Sequence, residues 1–372
     1  MPTFTLADET LKFYYNDSGA PDTPEYTTYF VVHGLAYHSG VFQHLLPVAH
    51  QHSHRMISIN RRDYPDSTPY TQAELDIFAR GTDEERYTLM INEGINLSLL
   101  LDGLINELGL PPKIVLVGWS LGVVYTLAML ASIASLPEAV QERLTRSVKK
   151  MVIWEPPAHG LGMEIPPGCY TPFIDDTIPF AEIPSVFVRW VALHFQHGDL
   201  SLRHDLSQLE LFKVDLDQRP SPFSTTTDED LAKITVLRPA LVSDGYMISP
   251  AFALNVGRRL VQETLFDSEV RQRWGGDLGV WHLVGDKGPF TMHLATWYLK
   301  DMVDHELAEV AGEGREASKA AIRFSFVPGA SHCVGFFLCS FLFCVGCCLG
   351  SIFLQFMWED PEGAMKELEL LD

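Results

Sequence analysis

Ser120, within Gly118-Trp119-Ser120-Leu121-Gly122, is the residue of this chain best placed to do chemistry. The apolar run Ile114–Val117 before it reads as a strand, and the apolar stretch after it reads as a helix. The pentapeptide therefore sits on a sharp strand-to-helix turn, the context that gives G-x-S-x-G its meaning. Such a turn holds the serine in a strained conformation, and Gly118 and Gly122 let neighbouring chain approach closely. The hydroxyl is presented at the sheet edge, above a helix N-terminus that favours developing negative charge. A nucleophilic serine is the expectation.

A serine nucleophile needs a base to take its proton, an acid to orient that base, and donors for the oxyanion. His332 is the expected base, because it follows a strand near the C-terminus on the small-residue turn Pro328-Gly329-Ala330-Ser331. One oxyanion donor would be the N–H of Leu121, directly after the nucleophile. The other would come from His33-Gly34-Leu35-Ala36, most naturally the Leu35 N–H, with His33 and Gly34 shaping that turn.

These residues need elements to carry them. Thr3–Ala7 and Leu11–Tyr15 alternate as strands do, and Thr28–Val32, Met56–Ile59, Met151–Trp154, Gly279–Val284 and Ile322–Val327 are apolar runs of strand length. Val41–His50, Tyr87–Leu108 and Met292–Met302 carry helical spacing. Strands alternating with helices imply an α/β fold with a mostly parallel sheet covered on both faces. From 158 to 277 the pattern loosens, with helical patches at Ser185–His197 and Ala251–Phe266. That interruption is too long for a loop and is expected to be an inserted cap, leaving 1–157 and 278–372 as the core.

Composition excludes whole classes. A formal charge of −21 over 372 residues argues against nucleic acid and against anionic membrane surfaces. The N-terminal stretch lacks a basic start followed by an apolar run, so no secretory signal is expected. Cys169 stands alone while Cys333, Cys339, Cys344, Cys347 and Cys348 crowd one segment, which is no disulfide framework. A reducing, cytoplasmic setting is expected.

The stretches VVHGLAY, NRRDYPDSTPY, VGWSLG, VIWEP, VWHLVGDKGPF and FVPGASH resemble the α/β-hydrolase superfamily over nearly the whole chain. The resemblance implies an eight-stranded sheet, a cap and a triad in the order Ser–acid–His. Serine at the elbow, where epoxide hydrolases and haloalkane dehalogenases carry aspartate, points to esterase- or lipase-like chemistry. The acid departs from the pattern: in Gly285-Asp286-Lys287-Gly288-Pro289, glycine fills the usual acid position. Two substitutes remain open. Glu155 ends the sixth strand, an alternative site in some members, and Asp286 sits two residues early in the usual loop. Asp244, in Ser243-Asp244-Gly245, is a distant third that reads more naturally as a turn former.

Cys333–Leu354 holds 22 residues without one charge, long enough to span a bilayer. Yet no Lys or Arg lies close to either end, the expected amphipathic helix of 356–372 follows, and the stretch begins one residue after His332. Removing 333–355 joins GASH to FMWEDPEG, which resembles the family's ending. An insertion, such as translated unspliced sequence, is the favoured reading; a membrane anchor with palmitoylated cysteines and a buried apolar hairpin are the alternatives.

The His50-x-His52-x-His54 repeat invites a metal, but it sits at a helix end without a Cys or carboxylate at ligand spacing, so none is expected. Trp119 reads as core or as acyl-pocket wall. Tyr170, Phe173, Phe180, Phe187, Trp190 and Phe195 would either line an apolar cavity or pack the cap. The expected protein is a serine hydrolase acting on an ester, thioester or lactone of a mostly apolar small molecule. No cofactor, metal or nucleic acid is called for, and a membrane partner only if 333–354 is a genuine span. Competing readings are a binding protein on the same fold and a membrane-anchored lipase.

Overall fold

The computed structural model describes residues 2–7, 9–276, 278–312, 322–333, 365 and 369 of the chain. Eight strands form one sheet: β1 (Thr3–Thr5), β2 (Lys12–Asp17), β3 (Thr28–Val32), β4 (Arg55–Ile59), β5 (Ile114–Trp119), β6 (Val148–Trp154), β7 (Gly279–Gly285) and β8 (Arg323–Val327). Their spatial order is β1-β2-β4-β3-β5-β6-β7-β8. The β1–β2 and β2–β4 pairs are antiparallel, and every pair from β4 to β8 is parallel. Strands β3, β4 and β5 are buried at nearly every position, as strands covered on both faces must be.

The expected strands are present within a residue or two, with β6 starting three residues early. Helices are better formed than their apolar spacing alone shows. Before β5 lie α1 (Leu45–Gln51), α2 (Gln72–Arg80) and α3 (Asp83–Leu108). Thr71 with Glu74 and Thr82 with Glu85 make capping boxes that start α2 and α3, and α3 begins at Asp83, four residues ahead of the expected Tyr87. Gly109, left-handed at φ 62°, closes α3. After β5 come α4 (Gly122–Ala131) and α5 (Glu138–Ser147), and α3 lies against α4. Between β6 and β7, residues 158–277 carry short helices such as α6 (Ile183–Val191) and one longer helical run over 250–266, in which α and π turns alternate, where a helical patch was expected at Ala251–Phe266. The helix Phe290–Gly312 joins β7 to β8.

The parallel strands end together. Val32 is registered with Gly118, Trp119 with Trp154, Trp154 with Leu283, and Gly285 with Val327. The loops that follow them therefore meet along one edge. Chain order also reverses around β3, which lies between β4 and β5, the switch at which open α/β sheets bind ligands. The apolar stretch 334–354 and the expected helix 356–372 lie outside the described residues, apart from Met365, which is buried in the core, and Glu369.

Candidate active site

Ser120 is the first residue after β5, with φ 55°, in the left-handed region that non-glycine residues rarely adopt. Its N–H still donates to Trp154 O of the neighbouring strand at 2.8 Å, so the backbone turns only after the ladder has been satisfied. The sharpness of the turn depends on missing side chains. A Cβ on Gly122 would lie 2.2 Å from Val32 O, and one on Gly34 would lie 2.6 Å from Ser120 Cβ. The His33–Ala36 turn is thus packed directly against the serine.

Glu155 repeats the device one strand over. It follows β6, has φ 50°, and donates its N–H to Leu283 O at 2.8 Å. The bend turns the carboxylate over the edge, where Oε1 accepts the Gly285 N–H and Oε2 lies 3.4 Å from His332 Nδ1. Gly288 explains the vacancy at the usual acid position, since a Cβ there would come within 2.9 Å of Glu155 Oε2. The two features are complementary: the strand-six carboxylate occupies the space that a strand-seven side chain would need. Asp286 is a correction. Its Oδ1 accepts the Gly329 N–H at 2.6 Å and its Oδ2 lies 3.7 Å from Lys287 Nζ, so it braces the turn leading to His332. Asp244 is a second correction, being no turn former: it is buried in an ion pair with Arg61.

His332 and Glu155 are 2% and 1% exposed. Burial pushes the imidazole down to about 3 and the carboxyl well above the usual carboxylate range, the latter opposed by the Gly285 N–H and reinforced by Asp286. A neutral imidazole at neutral pH is the form able to accept a proton. Trp119 lies beneath it, ring on ring at 5.0 Å with planes 23° apart, and its indole N–H donates to His332 O at 3.2 Å. Trp119 is core, as expected, and not among the residues that line the cavity; from the core it seats the histidine. No spacing in the sequence signals that contact, because 213 positions separate the two residues.

His33 shapes its turn through a defined tautomer. Nε2 accepts the Arg61 N–H at 3.1 Å, which leaves the proton on Nδ1 to donate to Gly34 O at 2.9 Å. Among the described residues, the N–H groups of Leu35 and Leu121 are not taken up in the backbone hydrogen-bond pattern. Both residues and Ser120 line a cavity of about 530 Å³. The opposite wall comes from residues 157–191 and 240–253, where Phe173, Phe180, Phe187 and Trp190 face the space. Tyr170 and Phe195 stand behind, edge-on to Trp190 at 6.4 and 5.4 Å. Hence four of the six aromatics line the cavity and two pack them.

Among the described residues no group of three or more His, Cys, Asp or Glu could hold a metal ion. His52 Nδ1 and His54 Nε2 both contact Glu369 Oε1, at 2.8 and 3.2 Å.

Residues 30–337 of the sequence match the profile of the alpha/beta hydrolase family. The chain belongs to the α/β-hydrolase family. No curated protein matches it. Solved structures similar to this α/β-hydrolase include an esterase from Exiguobacterium antarcticum, 16% identical, the match covering 89% of this chain and 92% of that one with a TM-score of 0.44. The esterase RhEst1 from Rhodococcus sp. ECU1013 is 13% identical, with 99% and 97% covered and a TM-score of 0.45. A proline iminopeptidase from Mycobacterium smegmatis is 12% identical, with 89% and 92% covered and a TM-score of 0.44. At these values no substrate passes from them to this chain.

Buried histidines give the α/β-hydrolase a pH signature. Desolvation lowers His282 to about 3 and His159 to about 4, and holds His33 and His293 well below 6.5. The unfolded chain binds protons near pH 6.5 that these folded imidazoles refuse. Their contribution to stability is therefore complete above about pH 6.5 and is lost progressively as pH falls from there through 4 toward 3. Urea unfolding should give a lower free energy at pH 5 than at pH 7.5; equal values would contradict the buried, neutral assignment.

Proposed function

We propose that this α/β-hydrolase is a serine hydrolase that cleaves an ester-type bond (ester, thioester or lactone) of a mostly apolar small molecule. The observation that carries the reading is the strained Ser120, opening onto the same cavity as Leu35 and Leu121, with the His332–Glu155 pair beyond the ends of β8 and β6.

The His332 Nδ1–H donates to the Glu155 carboxylate, which keeps its own charge and leaves Nε2 to act as base toward Ser120. Ser120 Oγ attacks the substrate carbonyl carbon as its proton passes to His332. The negative charge that develops on the carbonyl oxygen is met by the Leu35 and Leu121 N–H groups. Collapse breaks the bond to the leaving group, which takes the proton back from His332 and departs as an alcohol, thiol or hydroxyl. Water, activated by His332, then repeats the sequence on the acyl-enzyme and releases the acid. Segment 158–277 serves as the cap, and the Phe173, Phe180, Phe187 and Trp190 side chains accept the apolar part of the substrate.

The test is intact-mass detection of a fluorophosphonate adduct on the full-length chain. One adduct is expected on the native protein and none on the Ser120→Ala variant. A folded native chain that stays unlabelled would make this a binding protein and end the proposal.

A further inference from the structure

Asp244 is 1% exposed, lies among residues that wall the cavity, and faces the hydrolase core through Arg61 and Tyr64. The Arg61 guanidinium grips it with two bonds, Nη1 to Oδ1 at 2.8 Å and Nη2 to Oδ2 at 2.7 Å. Tyr64 Oη donates to Oδ2 at 2.6 Å, and the Tyr125 hydroxyl lies 3.5 Å from Oδ1. The rings of Tyr125 and Tyr64 lie 4.3 and 4.9 Å from the guanidinium carbon, so the cation is boxed by aromatic faces.

Further hydrogen bonds tie Arg61 and Tyr64 to one turn. Arg61 Nε donates to His33 O at 3.0 Å and Nη2 to Gly34 O at 2.8 Å. Tyr64 Oη accepts the Ala36 N–H at 3.0 Å. The significance lies in the planarity of the peptide bond. Gly34 C=O and Leu35 N–H belong to one trans peptide group, so they point in opposite directions and cannot turn independently. Holding Gly34 O on Arg61 therefore aims the Leu35 N–H away from Arg61. The next peptide is pinned through its Ala36 N–H, which leaves the Leu35 peptide no freedom on either side.

We propose that Asp244 is a positioning residue: through Arg61 and Tyr64 it fixes the plane of the Gly34–Leu35 peptide, and so the direction of the Leu35 oxyanion donor. Segment 158–277 thus supplies the residue that completes the oxyanion site, as well as part of the cavity wall. The inference rests on the serine-hydrolase reading of Ser120, but its structural half can be measured without catalysis.

The experiment pairs Asp244→Asn with the milder Tyr64→Phe, which removes one hydroxyl and leaves the ion pair intact. With short apolar nitrophenyl esters, Asp244→Asn should lower kcat about 100-fold, the loss seen when one oxyanion donor is lost, and leave KM within about threefold. Affinity for a trifluoromethyl ketone, whose serine adduct carries an oxyanion, should fall by the same factor. Tyr64→Phe should give a smaller loss in the same direction. Hydrogen exchange of the 33–36 amides should quicken in both variants. A change in thermal midpoint or KM alone, with kcat and ketone affinity kept, would overturn the proposal, as would unchanged exchange at 33–36. If the native chain hydrolyses no ester, the serine-hydrolase reading fails, and the exchange measurement still decides whether Asp244 holds the turn.

Discussion

Glu155→Gln should lower kcat about 10⁴-fold and leave KM within a few-fold, the signature of an interaction that matters only once charge develops on the histidine. The amide keeps the size of the carboxylate and its carbonyl oxygen still accepts the Gly285 N–H, so the fold has no reason to suffer. What disappears is an acceptor for His332 Nδ1–H. The glutamine N–H₂ donates instead, which favours the tautomer with its proton on Nε2, the nitrogen needed as base. A second variant separates role from position. Glu155→Ala combined with Gly288→Asp places a carboxylate in the space that Glu155 Oε2 now fills, because a Cβ at 288 already points there from 2.9 Å. That pair should recover at least tenfold over Glu155→Ala alone, in steady-state ester hydrolysis. Activity within threefold of native for Glu155→Gln would remove Glu155 from the mechanism.

Arg61→Met should destabilise the fold by about 3–5 kcal/mol, the usual result of orphaning one member of a buried ion pair. Asp244 would be left as a charge at 1% exposure with only hydroxyl neighbours, and His33 O and Gly34 O would each lose a donor. The larger part of that loss belongs to the stranded charge and the smaller part to the pair's own attraction. Arg61→Met with Asp244→Leu should therefore regain more than half of the lost stability while remaining catalytically poor, since the turn stays unheld. Urea unfolding monitored by tryptophan fluorescence measures both. A single-variant loss below 1 kcal/mol would mean that the pair is solvated and that its burial has been misjudged.

The elements that could be read from the chain were those whose signal is local. Ser120 announced itself because strand, glycine-flanked turn and helix are consecutive, and the strand ends that carry His33, Glu155 and His332 were apolar runs with clear stops. Capping boxes at Thr71 and Thr82 are equally present in the sequence: the first starts α2, a helix absent from the expected elements, and the second lies ahead of the apolar spacing that begins at Tyr87. The looser stretch 158–277 gave its two helical patches and little else, because most of its other helices are short and its apolar residues answer to a cavity wall.

The chain by itself carried the family resemblance, the alternation of strands and helices, and the expectation of Ser120 and His332 as nucleophile and base, since each is written in a contiguous pattern. It also reduced the acid to Glu155 or Asp286 by showing glycine where the carboxylate is usual. Only the tertiary structure shows how differently the two are placed. Both carboxylates lie near His332 in sequence order of strands, and what separates them is the φ of 50° that turns Glu155 over the sheet edge while Asp286 is consumed by the Gly329 N–H. The same holds for Trp119 beneath His332, 213 positions away, and for Asp244, which reaches Gly34 O only through Arg61, 183 positions from it: no local pattern encodes either, and only chain packing can bring the groups within bonding distance.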